Sequence, residues 1–210
     1  ETVRAASFTQ SAGAGTTTFA KVFAIDTTDF AFTGQNLTVS AAGNTVAGDM
    51  TVTNAGTFTT ADASTIVVTG AFLQDGAGSS SIGGNLTGTT DLTFQQGITL
   101  TGADAVVLST GGAAGQDIVL GTNAGDDIEG ADQALTLNAG AAGDITVNGD
   151  IGAVAGIGAM TITNATDVDF NETVRAASFT QSAGAGTTTF AKVFAIDTTD
   201  FAFTGQNLTV

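Results

Sequence analysis

Carboxylates are densest in one short stretch of the chain, residues 125–132. The stretch reads GDDIEGAD and places Asp126, Asp127, Glu129 and Asp132 close together. Carboxylate oxygens are ligands that Ca²⁺ prefers, so these four side chains are the best candidates for a metal site. The alternative is a loop between strands whose acids face water, and we expect this loop. We therefore assign no metal-binding, cofactor-binding or catalytic residue, and Ca²⁺ is the only cofactor that the pattern suggests.

The wider segment, GTNAGDDIEG at residues 121–130, resembles one half-site of the glycine- and aspartate-rich nonapeptides that bind Ca²⁺ between adjacent turns of a coil. Those sites need several consecutive copies, and this sequence has one. The resemblance alone therefore does not predict a built calcium site.

The other carboxylates suggest structure rather than catalysis. Asp167 and Asp169 alternate with apolar residues, which predicts an outward strand face, although paired carboxylates can hydrolyse glycosidic bonds. The chain has no His, Cys, Tyr or Trp, which removes Ser/His/Asp and Cys/His machinery, and we expect no enzyme. Four further aspartates flank predicted strands singly, as turn-forming residues do: Asp49, Asp117, Asp144 and Asp150.

Charge limits the partners. The 210 residues contain 20 acids and four bases, a net charge of −16. Such a surface repels nucleic acid and anionic membranes, so neither is an expected partner. No apolar run reaches the length of a membrane span.

Short apolar clusters alternate with threonine along the whole chain. The segments 50–53 (MTVT), 98–101 (ITLT) and 160–163 (MTIT) place apolar side chains on one face, which is typical of half-buried strands. Gly, Asn and Asp separate these strands, as in residues 41–44 (AAGN) and 111–115 (GGAAG). Helix-forming residues are sparse, so the sequence predicts an all-β protein.

One segment occurs twice without a substitution. Residues 172–210, the second copy, repeat residues 1–39, the first copy, so that Glu172 restates Glu1 with a period of 171. Three of the 20 acids and two of the four bases lie in the second copy, which leaves 17 acids and two bases in each period. A fixed period indicates a tandem array. We therefore expect residues 1–210 to form one continuous segment of a longer array, and Val210 to be followed by a repeat of Ser40 onward.

A parallel β-solenoid accounts for these features best. Each turn would hold two or three short strands, and at roughly 20 residues a turn one period would hold about eight or nine turns. A β-sandwich array is the alternative, but it expects longer strands and more two-residue hairpins. We expect stacked aromatic side chains in the thin core, filled by Phe8, Phe19, Phe23, Phe30, Phe32, Phe58, Phe72, Phe94 and Phe170.

Thr-x-Thr pairs suggest one further possibility, a solenoid that binds ice. Such a protein would need these pairs at one constant interval on a flat face. The pairs at 16–18, 51–53, 57–59, 99–101, 161–163 and 187–189 are irregularly spaced. We therefore expect ordinary ladders of outward threonines.

The segments AASFTQSAGAGTTTF (5–19), LTLNAGAAGDITVNGDIG (135–152) and MTITNATDVDF (160–170) resemble repeats of giant bacterial surface proteins. These are the filamentous-haemagglutinin-like and autotransporter-passenger-like β-strand repeat proteins. The resemblance implies a right-handed parallel β-helix at the cell surface or outside the cell, and it implies no catalytic residue.

The expected function is therefore a structural one. The chain would be a component of an extracellular bacterial fibre that grows by end-to-end continuation of identical repeats. The alternatives are an adhesin stalk that binds glycans or other cells and, with less support, a polysaccharide-active β-helix enzyme.

Overall fold

A computed structural model describes residues 1–111, 115–198 and 200–210. The chain forms a parallel β-solenoid of about ten turns, and the described residues contain 27 strands and no α-helix. Every pairing between named strands is parallel, which excludes the hairpin-paired sandwich. The all-β solenoid predicted from the sequence is confirmed. Gly112, Ala113 and Ala114, in the middle of one predicted turn, lie outside the described residues.

Most strands are three to five residues long. In chain order they are β1 (Val3–Ala5), β2 (Phe8–Gln10), β3 (Thr16–Phe19), β4 (Phe23–Ile25), β5 (Phe30–Gly34), β6 (Asn36–Val39), β7 (Asn44–Val46), β8 (Met50–Asn54), β9 (Phe58–Thr60), β10 (Thr65–Val68), β11 (Phe72–Gln74), β12 (Ser80–Ile82), β13 (Asn85–Gly88) and β14 (Leu92–Phe94). The second half continues with β15 (Ile98–Leu100), β16 (Val106–Ser109), β17 (Ile118–Leu120), β18 (Ile128–Gly130), β19 (Leu135–Asn138), β20 (Ile145–Val147), β21 (Ile157–Asn164), β22 (Val168–Phe170), β23 (Val174–Gln181), β24 (Thr187–Phe190), β25 (Phe194–Ile196), β26 (Phe201–Phe203) and β27 (Asn207–Thr209).

Three parallel sheets form the sides of the coil. The first face runs from β1 through β4, β7, β10, β13, β16 and β19 to β21, then to the second half of β23 (residues 179–181) and to β26. The second face runs from β2 to β27 through every strand that follows a first-face strand. The third face runs from β3 to β18, and single bridges then extend it from Ile128 to Ile151 and from Ile151 to Val174.

Strict alternation of side chains builds the core. In β8, β9, β14 and β20 the first and third residues of the strand are buried and the second is partly exposed. Successive residues of a strand point to opposite faces, so threonine faces water while its apolar neighbours fill the coil. β-Branched and aromatic residues suit such a pleated, half-buried surface.

Phenylalanine supplies much of the core. Seven of the nine predicted fillers are fully buried: Phe23, Phe30, Phe32, Phe58, Phe72, Phe94 and Phe170. Phe8 and Phe19 pack against this cluster but are only half-buried, because they lie in the first described turn and a turn packs against them on one side only. The predicted aromatic stacking is present, for example between Phe8 and Phe30 with ring centroids 4.6 Å apart.

Turn length varies more than the sequence predicted. The turn that joins Val3 to its partner Phe23 is clearly shorter than the turn that joins Ile118 to its partner Ile145. Corner loops absorb the difference, since the strands at both places have three residues. One period therefore contains slightly fewer turns than the expected eight or nine.

Candidate functional surfaces

The acidic stretch at residues 125–132 is not the single water-facing loop that the sequence suggested, because residues 128–130 form strand β18 and Asp126 is buried. Three of its four carboxylates accept hydrogen bonds from the chain itself: Asp126, Asp127 and Glu129. One oxygen of the buried Asp126 carboxylate accepts hydrogen bonds from the backbone amides of Thr122 (2.8 Å) and Asn123 (2.7 Å). The Glu129 carboxylate accepts hydrogen bonds from two backbone amides one turn later, Val154 and Ala155, each at 2.9 Å. Among the described residues, no group of three or more acids is arranged to hold a metal ion.

The surroundings of the Asp127 carboxyl perturb its pKa. Burial raises the pKa of this carboxyl, and the neighbouring charges of Asp150, Glu129 and Asp126 raise it further. A hydrogen bond from the Asp150 backbone amide to Asp127 Oδ1, 3.1 Å long, acts in the opposite direction. The protonated form of Asp127 is therefore favoured more in the folded chain than in the unfolded chain.

The single aspartates predicted to form turns have a further role. Each lies directly before a second-face strand, and its Oδ1 accepts a hydrogen bond from the backbone amide at the equivalent position of the next turn. We call these residues the aspartate ladder: Asp29, Asp49, Asp91, Asp117, Asp144 and Asp167. Donor–acceptor distances run from 2.6 Å at Asp167 to 3.1 Å at Asp91.

The third face has a shorter version of the same arrangement. Asp127 Oδ1 accepts from the Asp150 amide, and Asp150 Oδ1 accepts from the Thr173 amide at 2.8 Å. The expectation that such single aspartates only turn the chain was therefore incomplete, because their carboxylates join one turn to the next. Asp169 is exposed on its strand as predicted, whereas Asp167 belongs to the ladder.

Glycine makes room for these carboxylates. A Cβ atom on Gly48 would lie 2.1 Å from Asp29 Oδ1, and one on Gly70 would lie 2.1 Å from Asp49 Oδ1. Real side chains do not approach an oxygen so closely, so the residue before the hydrogen-bonded amide must lack a Cβ at these turns. Gly-Asp dipeptides before strands, as at 48–49 and 143–144, were the sequence signal that could have revealed the ladder.

A column of hydroxyl side chains follows the third face. Thr18, Thr38, Thr59, Ser81 and Thr99 occupy equivalent outward positions on five successive turns. Their sequence spacing is irregular because the corners differ in length, yet their spacing along the coil is one turn. The predicted ladder of outward threonines is present on this face.

A shallow groove of about 330 Å³ lies at the corner between the second and third faces. It spans four turns, and its lining consists of small and polar residues: Ser11, Ala12, Gly13, Thr33, Gly34, Gln35, Thr53, Asn54, Ala55, Gly76 and Ala77. A second groove of about 300 Å³ is lined by residues 182–184 and 204–206, the copies of residues 11–13 and 33–35. The groove is therefore a property of the repeat.

Three cations of the described surface pair with acids one turn away. Arg4 contacts Asp26 at 3.0 Å, its copy Arg175 contacts Asp197 at 2.7 Å, and Lys192 contacts Glu172. Exposed pairs of this kind contribute little to stability. Because the chain has 20 acids and four bases, most carboxylates have no cation with which to pair.

The chain has no match among protein-family models, among curated proteins or among solved structures. In the described part of the chain, no helix is long and apolar enough to cross a membrane.

Proposed function

We propose that this protein is a structural component of an extracellular bacterial fibre, in which β-solenoid turns continue from one copy of the repeat to the next. The observation that carries the proposal is internal to the chain. The same segment occurs once at the start and once at the end of the coil, so each copy serves as a control for the other.

At the amino-terminal end of the coil, side chains of the first copy are more exposed than the same side chains of the second copy. Val3 is 50% exposed, whereas its copy Val174 is completely buried. Phe8 and Phe19 are half-buried, but their copies Phe179 and Phe190 are part of the core. The difference arises because residues 151–170 pack against the second copy and cover it.

At the other end, the exposure is reversed. Phe201 is 42% exposed and Leu208 is 38% exposed, while Phe30 and Leu37, the same residues of the first copy, are fully buried. Strands β8 and β9 cover the first copy. Burying one such side chain contributes about 1.5–3 kcal/mol, so a further turn of this sequence would recover that stabilisation at the open end.

The expected location outside the cell draws on the sequence. The repeat resembles those of giant bacterial surface proteins, and its net charge of −15 per period keeps neighbouring fibres soluble. Immunogold labelling of intact producing cells with antibodies against the repeat tests this part. We expect labelled filaments on unpermeabilised cells, and labelling that requires permeabilisation would contradict it.

Continuation of the coil is tested by adding one turn. A chain in which residues 40–60 are repeated after Val210 should melt at a higher temperature than the chain that ends at Val210, because the new turn buries Phe201 and Leu208. The control carries the same added segment in scrambled order and should show no gain. Equal melting temperatures for the two extended chains would contradict the proposal.

A further inference from the structure

The two copies of the repeated segment lie on different faces of the coil. Residues Val3–Ala5 form the first strand of the first face. Their copies begin at Val174, which continues the third face through the bridges from Ile128 to Ile151 and from Ile151 to Val174. The second copy therefore does not lie directly above the first.

The next two strands of the segment show the same displacement. Phe8–Gln10 lies on the second face, whereas its copy at 179–181 pairs with residues 160–162 on the first face. Thr16–Phe19 lies on the third face, whereas its copy, β24, pairs with β22 on the second face. All three strands of the segment's first turn have moved by one face in the same direction.

Counting faces gives the winding of the repeat. Val3 lies on the first face of the first turn, and Val174 lies on the third face of the eighth turn. One period therefore winds seven and two-thirds turns. At about 4.8 Å a turn, each copy advances about 37 Å along the axis.

We infer that tandem copies of this repeat follow a one-third-turn screw. Each copy is rotated by one-third of a turn relative to the copy before it, so a given surface feature faces each of three sides of the coil in succession. The inference rests on the proposed continuation of the coil. Three copies would wind 23 whole turns, and a given surface feature would return to the same side after about 110 Å.

Local contacts explain why the segment tolerates the change of face. Gln10 accepts a hydrogen bond from the Thr17 hydroxyl at 2.7 Å, and the copy of Gln10, Gln181, accepts the same bond from Thr188 at 2.7 Å. The ion pair of Arg4 also recurs in the second copy. All three faces are parallel sheets with the same inward and outward alternation, so each can accommodate the same strands.

The screw has a consequence for the fibre surface. The groove lined by residues 11–13 and 33–35 lies between the second and third faces, and its copy lies between the first and second faces. A long array would therefore carry three equal rows of grooves. If one copy bends the coil towards one side, the next copy bends it in a direction rotated by one-third of a turn about the axis. The bends therefore cancel over three copies, and the fibre is straight.

Disulfide trapping tests the displacement in this chain, which has no native cysteine. Thr161 lies beside Thr180 in the observed register. If the repeat wound eight whole turns, the strand that begins at Val174 would instead lie on the first face, with Arg175 beside one of the outward threonines of β21, Thr161 or Thr163.

We expect Thr161→Cys/Thr180→Cys to oxidise to an internal disulfide. Thr161→Cys/Arg175→Cys and Thr163→Cys/Arg175→Cys should both remain reduced, because Arg175 lies on the third face. Oxidation of either Arg175 variant, with Thr161→Cys/Thr180→Cys left reduced, would overturn the inference.

A positive control accompanies these variants. Thr136 lies beside Thr161 outside the copied segment, so Thr136→Cys/Thr161→Cys should oxidise under either winding. Oxidation of this control together with a reduced Thr161→Cys/Thr180→Cys variant would also overturn the inference, since it shows that the neighbouring strands can be trapped but are arranged differently.

Labelled arrays separate the screw from the proposed function. In four tandem copies of residues 1–171, Ala124→Cys places one thiol per copy on an exposed loop for gold labelling and electron microscopy. We expect labels about 37 Å apart along the axis and distributed over three sides. Labels on one side of a continuous rod would overturn the screw but would not contradict the proposed fibre. Separate globules would instead overturn the proposed function.

Discussion

At the scale of single residues, the aspartate ladder links turns where the strands cannot. Corners interrupt the sheet hydrogen bonds, and at six of them a backbone amide at the start of a second-face strand would lose its partner. A carboxylate from the preceding turn supplies the acceptor, as between Asp117 and the Asp144 amide at 2.9 Å. The ladder therefore stabilises the coil through hydrogen bonds to the backbone.

Substitution of Asp117 separates the hydrogen bond from the charge. Asp117→Ala removes the acceptor, and we expect a loss of about 1–2 kcal/mol in unfolding free energy, because the Asp144 amide is left unpaired. Asp117→Asn keeps an oxygen at the same place and should lose much less. Urea titrations measure both variants, and equal losses would show that charge, not hydrogen bonding, is the main contribution.

Asp127 predicts a dependence on pH. Its pKa is raised in the folded chain, so folding favours the protonated form; this stabilisation is present in acid and is lost as pH rises through the folded pKa. Asp127→Asn keeps the acceptor for the Asp150 amide and removes the charge. We expect it to melt at a higher temperature than the native chain at neutral pH, with a smaller difference in acid.

The control for Asp127 is Asp104→Asn, which removes one charge from an exposed loop. Its melting temperature should stay near that of the native chain at both pH values. An equal gain from both substitutions would attribute the effect to net charge, and no gain from Asp127→Asn would contradict the account of Asp127.

At the scale of strands, alternation predicted most of the structure. The clusters at 50–53 and 160–163 lie within strands, and the cluster at 98–101 forms one up to Leu100, because apolar residues that alternate with threonine fit a sheet with one buried side. Corner chemistry was predicted less well. An aspartate before a strand looks the same in sequence whether it turns its own chain or binds the next turn, and the partner amide lies a full turn later in the chain.

The number of turns per period was overestimated for a related reason. The prediction assumed turns of equal length, but loops such as residues 121–127 and 139–144 lengthen some corners without adding a strand. The alternation of apolar and polar residues within the strands gives no information on the length of the corner loops between them. The displacement of the second copy by one face could therefore be found only from the strand pairing.

A matched pair of phenylalanines tests burial at this scale. Phe30 and Phe201 are the same position of the repeat, but Phe30 is fully buried and Phe201 is at the open end. We expect Phe30→Ala to cost about 3–5 kcal/mol in unfolding free energy and Phe201→Ala to cost far less. Chemical denaturation measures both, and similar costs for the two substitutions would contradict the open end.

At the scale of the whole molecule, charge would set how the proposed fibres interact with one another. A net charge of −15 per period would repel parallel neighbours at low ionic strength. We expect added Ca²⁺ to promote bundling of assembled arrays, measured by light scattering. An equal ionic strength of NaCl is the control, and unchanged scattering through the calcium titration would contradict bridging between fibres.

Continuation of the turns from copy to copy, as one unbroken coil, is the property on which the proposed fibre depends. Its most direct test is the length of purified chains with two, four and eight tandem copies of residues 1–171, imaged by cryo-electron microscopy. We expect straight rods that lengthen by about 37 Å per copy, with a continuous repeat of about 4.8 Å along the axis. Globules joined by flexible segments, or a length that does not grow in proportion to copy number, would contradict it.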